Sequence, residues 1–104
     1  MDRATFNSLV NEEVDKIFEL NHTKGTEYAG DDNALANFYH HASQLGLRPE
    51  QIWAVYAGKH WDAIMSYCKK GEVLSEPIEG RVRDMILYLF LMLGLVAEKN
   101  AGTT

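Results

Sequence analysis

The chain has 104 residues, 46% of them hydrophobic and 24% charged, with a net charge of −5, the profile of one soluble globular domain. The acidic balance argues against a duplex nucleic-acid binder, which carries a basic footprint, and the start Met-Asp-Arg-Ala-Thr-Phe lacks the basic and apolar regions of a signal peptide. A cytoplasmic location is expected, and the single cysteine, Cys68, can form neither an internal disulfide nor a thiolate metal site.

Apolar residues recur at helical spacing throughout, so four helices and no strand are expected. The first runs from about Ala4 to His22, with Phe6, Leu9, Val10, Val14, Ile17 and Leu20 as its buried stripe and Gly25 as a stop. A polar connection, Lys24 to Asn33, follows. The second helix, about Ala34 to Leu45, is capped by Asp32 or Asn33, buries Leu35, Phe38, Ala42 and Leu45, and stops at Gly46. Pro49 opens a third helix that ends at Gly71. Ser75 caps a fourth. The expected fold is all-α, an antiparallel four-helix bundle with a long polar loop between helices 1 and 2, because the other connections are short.

The fourth helix carries the strongest signal. Residues 85–97 contain no charge, a run too short to span a bilayer, which takes about 20 residues. A helix apolar on every side is buried on every side, and a chain this small cannot wrap one completely. Part of it is therefore expected to pack against a second copy or a partner, which makes the protein a homo-oligomer through this C-terminal helix.

On the third helix Ile52, Tyr56, Ala63 and Tyr67 form one line, with Lys59 and His60 on either side of it. This pair either snorkels and hydrogen-bonds at a helix junction or lines a cleft that binds an anion. At the start of the fourth helix, Glu79 and Arg83 are spaced to pair, while Arg81, Asp84 and Tyr88 share another stripe. Three carboxylates of the polar loop, Glu27, Asp31 and Asp32, do not follow the calcium-loop pattern. His40 and His41 point about 100° apart on a helix, so they cannot share a metal, and no zinc motif or nucleophile motif is present. No metal site is expected.

The ordered set Lys24-Gly25-x-Glu27-Tyr28-Ala29, Asn37-Phe38, Lys59-His60-x-x-Ala63-Ile64 and Glu79-x-x-x-x-Asp84-x-x-x-Tyr88-Leu89 resembles small helical bacteriophage and prophage proteins. More distantly it is similar to the MazG-like all-α nucleoside triphosphate pyrophosphatases and to phage nucleotide-modification-associated proteins. That resemblance implies a dimeric or higher helical assembly in the host cytoplasm that grips a nucleotide phosphate chain through magnesium. The magnesium would sit between Glu-x-x-Glu and Glu-x-x-Asp motifs. Asp84 fits the last carboxylate, but Arg81 stands three residues before it, and Lys59-His60 with Asp62 occupies the helix of the first motif. Magnesium, which needs converging carboxylates, is a cofactor only if the pyrophosphatase reading holds.

Three functions follow, in order. The first is a binder of a nucleotide or other phosphorylated small molecule, without clear catalytic machinery, through Lys24, Glu27, Tyr28, Asn37, Lys59, His60, Arg81, Arg83, Asp84 and Tyr88. Such a protein would serve as a nucleotide-handling accessory or as a sponge for a signalling nucleotide. The second is a host-protein binder, an anti-defence or takeover factor, with Trp53 and Trp61 as contacts, because Trp61 lies about 140° from the buried line of its helix. Magnesium-dependent pyrophosphate release is the third.

Overall fold

The computed structural model describes residues 1–25, 33–72 and 76–102, and of Lys24 the backbone alone. Among the described residues every regular element is helical: α1 is Arg3–Leu20, α2 Ala36–Leu45, α3 Pro49–Lys70 and α4 Ile78–Asn100. The all-α class is as expected. The proposed caps at Asp32 and Ser75 lie outside the described residues.

Local chemistry sets the boundaries. The Asp2 carboxylate accepts from the Thr5 amide at 2.8 Å and starts α1. That hydrogen bond holds the Asp2 carboxyl below the usual range. Beyond Leu20 the helix widens into a π-helical turn, Asn21–Gly25, where the Thr23 hydroxyl donates to the Glu19 carbonyl at 3.1 Å. The Asn33 side chain accepts from the Leu35 amide at 2.9 Å, so Ala34 and Leu35 form a turn and α2 begins later than the apolar pattern predicts. Gly46 and Gly71, at φ +68° and +78°, close α2 and α3 in the left-handed conformation that glycine adopts without strain. Pro49 occupies the first turn of α3, as expected.

The core lies between α2, α3 and α4. Leu35, Phe38, Ala42, Ile52 and Leu95 are buried together, with Tyr39, Trp53, Tyr56, Tyr88 and Leu91 packed around them. Leu95, at 0% exposure, is its centre. Two hydrogen bonds tie the outer turns to this core. Trp53 Nε1 donates to the Tyr88 carbonyl at 2.6 Å, and the Tyr39 hydroxyl donates to Glu98 Oε2 at 2.6 Å. Burial, reinforced by Glu98, pushes the Tyr39 phenol up to about 12.

Several expected burials fail. Of the α1 stripe only Ile17 is buried; Phe6, Leu9, Val10 and Val14 are exposed because α1 rests against α4 along a narrow strip and nothing in the described chain covers its remaining apolar face. Leu45 is exposed because α2 ends there, one residue before the Gly46 turn. Tyr67 is exposed on the last turn of α3. Helix α4 divides its apolar residues. Tyr88, Leu91 and Leu95 face the core, whereas Leu89, Phe90, Leu93 and Val96 face outward.

Candidate functional site

The half-buried polar residues gather where α1, α3 and α4 approach one another. The α3 residue His60 and the α4 residues Asp84 and Tyr88 meet there, with His60 Nδ1 3.9 Å from Asp84 Oδ2. That distance makes an ion pair whenever the imidazole is protonated. The His60 and Tyr88 rings lie 4.9 Å apart, tilted by 43°, a contact geometry favourable for aromatic rings. The helical register brings this about: Asp84 and Tyr88 are one turn apart on the face of α4 that meets α3.

On the other side of Asp84 a polar cleft of about 340 Å³ opens between the last turns of α1 and the first turns of α4. Lys16, Glu19 and Thr23 line it from α1 and the π-helical turn, Glu76 from just before α4, and Gly80, Arg83 and Asp84 from its first turns. Arg83 is held as a fork. Its Nε and Nη2 donate to the two Glu13 oxygens at 2.5 and 3.1 Å, the bidentate arrangement that suits guanidinium and carboxylate. Arg83 thereby pulls the Glu13 carboxyl down to about 2, and Glu13 raises the Arg83 guanidinium further above its ordinary value. Lys16 Nζ lies 3.5 Å from Glu13 Oε1, the oxygen that also accepts from Arg83 Nη2. Arg81 reaches back to Glu76, Nε to Oε1 at 2.6 Å.

The candidate residues are thus only partly assembled. His60, Asp84 and Tyr88 come together, and Arg83 adjoins Asp84 on the same wall of the cleft. Lys59 is exposed rather than bordering the buried face, and Asn37 is exposed at the start of α2. Arg83 pairs with Glu13 and not with Glu79, and Arg81, which shares the Asp84 stripe of its helix, pairs with Glu76. In each case a carboxylate outside the i,i+4 register offers the better geometry. Glu27, Tyr28 and the Lys24 side chain lie outside the described residues. Lys16, Glu19, Thr23 and Glu13 belong to the site without having been read from the sequence. Their signal was the charged run Glu12-Glu13-x-x-Lys16-x-x-Glu19, which shares α1 with a dominant apolar stripe.

Among the described residues no group of three His, Cys, Asp or Glu side chains is placed to hold a metal ion. His40 and His41 stack edge to face at 5.2 Å, away from this site. Nor is any described helix long and apolar enough to cross a membrane. No protein-family model matches the chain, and neither a curated protein nor a solved structure is significantly similar to it.

Proposed function

We propose that the chain is a small-ligand binding protein that takes a phosphorylated molecule of nucleotide size in the cleft between α1 and α4, without catalytic machinery of its own. The observation that supports this most is the mixed lining of the cleft, with Lys16 and Arg83 beside Glu19, Glu76 and Asp84. A site for a bare anion would not carry three carboxylates. A nucleotide uses both signs: its phosphate takes the cations, and its hydroxyl and amino groups donate to carboxylates. The volume, about 340 Å³, falls within the roughly 300–1,000 Å³ of small-molecule sites. Since Arg83 already holds Glu13, a bound phosphate competes with that carboxylate and so acts on the seating of α1. The antiparallel four-helix arrangement and a homo-oligomeric state belong to the same reading.

Thermal shift against a panel of nucleotides and sugar phosphates tests the proposal, since a ligand that binds only the folded chain raises its melting temperature. Stabilisation by one class of phosphorylated ligand, lost in Lys16→Glu, is the expected result. No stabilisation by any member at millimolar concentration overturns the reading.

A second reading, binding to another protein as an anti-defence or takeover factor, is favoured by Trp61, which is 53% exposed on the outer side of α3 beside exposed Met65. Exposed tryptophans are common anchors of protein interfaces. A partner captured by the wild type and lost with Trp61→Ala would support it; equal capture by both would sink it.

A further inference from the structure

Two apolar surfaces are left uncovered among the described residues, and they adjoin. The outward flank of α4 carries Val82, Ile86, Leu89, Leu93 and Val96 at spacings of four, three, four and three, the repeat of a helix-to-helix seam. This seam is about 21 Å long. All but Ile86 are exposed, Leu93 at 62%. Alongside it runs an apolar cleft of about 630 Å³ between α1 and α4, whose walls include Phe18 and Phe90, exposed by 70% and 58%.

The chain also exposes more surface than its mass requires. A self-contained monomer of 11.8 kDa has about 5,900 Å² of accessible surface, whereas this chain has 7524 Å², a surplus of about 1,600 Å² by the same scaling. Its radius of gyration is 15.6 Å, against about 13 Å for a compact chain of this length.

We infer that a second copy of this chain covers the seam and the cleft, α4 lying antiparallel to the partner's α4 about a two-fold axis at Leu89. An obligate homodimer removes about 2,000 Å² or more of surface in total, and a chain with surface in excess of its mass has area of that order to bury against a second copy. A single foreign helix in the cleft would leave the α4 seam in water. An isologous pair covers both surfaces at once, because each copy presents the same patch. The stripe is nearly symmetric about Leu89: Val82 faces the partner's Val96, and Ile86 falls within one residue of facing the partner's Leu93. No charge lies in residues 85–97, and of the charges at the edges of the surface Arg83 and Glu13 are paired with each other and Arg81 with Glu76; antiparallel helices also oppose their dipoles. The two α1–α4 pairs then form a four-helix layer with α2 and α3 outside. This inference rests on the homo-oligomeric state proposed above, to which it gives a face and a symmetry, and its test is separate from that of ligand binding.

Light scattering and sedimentation of the full chain test it. The wild type is expected at twice the chain mass, and Leu93→Glu, at an exposed position, is expected to weaken self-association roughly a hundredfold or more with its helical circular dichroism intact. Trp61→Glu, on the other side of the molecule, leaves the dimer unchanged. Should Leu93→Glu fail to fold, oxidation of Leu89→Cys in a Cys68→Ser background decides the matter, since a two-fold axis there yields a disulfide-linked dimer. A monomeric wild type at high micromolar concentration overturns the inference. So does self-association that Trp61→Glu abolishes and Leu93→Glu does not, or a Leu89→Cys chain that fails to cross-link as a dimer.

Discussion

Helix α4 meets the rest of the chain on two sides that are held in different ways. On one side α2 and α3 bury Leu35, Phe38, Ile52 and Leu95 against it. On the other, α1 contributes one buried side chain, Ile17, and the Glu13–Arg83 pair. Burial of apolar area is the dominant favourable term in folding, whereas a partly exposed ion pair contributes little to stability. The α2–α3–α4 side therefore sets the global stability of the chain, and the α1 side sets what happens at the polar cleft and the outer face.

Substitutions on the two sides should separate accordingly. The largest effect is expected from Leu95→Ala, which opens a cavity at the one fully buried large side chain among the described residues and should cost about 2–5 kcal/mol in denaturant unfolding. A loss well under that would mean that the core is looser than described. Next is Trp53→Phe, which removes the donor to the Tyr88 carbonyl, a carbonyl that keeps its own helical hydrogen bond, at a cost of about 0.5–1.5 kcal/mol. If Trp53→Phe melts like the wild type, water replaces that bond and the α3–α4 contact is wetter than the geometry implies.

The smallest global effect belongs to Glu13. Its carboxyl is lowered to about 2 from an ordinary value of 4.5, so its share of the α1 contact is present above pH 4.5 and fades as pH falls toward 2. Acid in that window should shift the α1 amide resonances before the α3 and α4 resonances move. Glu13→Gln should reproduce that pattern at neutral pH with little change in melting temperature. Simultaneous movement of all helices would show that α1 is not a separable element.

The same contrast explains what the sequence made legible. The ends of α2 and α3 were readable from Gly46, Pro49 and Gly71 because caps and breakers act locally. Leu35, Phe38, Ala42 and Ile52 were readable as core because their helices close on one another within the chain. The stripe of α1 was equally regular, and there the reading went astray. Periodicity shows that a face needs cover but not what covers it. The candidate site was legible only through local register, which brought Asp84 and Tyr88 to one face of α4. The Glu13–Arg83 pair joins residues 70 positions apart, and no local spacing announces such a contact; Glu79, in i,i+4 register, was the nearer candidate.

Hydrogen exchange followed over a dilution series tests the division of α4 most directly. If a second copy covers the α1–α4 face, protection of α1 and of the outward turns around Leu89 and Leu93 rises with protein concentration, while the amides of α3 and those around Leu95 hold constant. Protection of α1 that is independent of concentration and equal to that of the core would contradict the account.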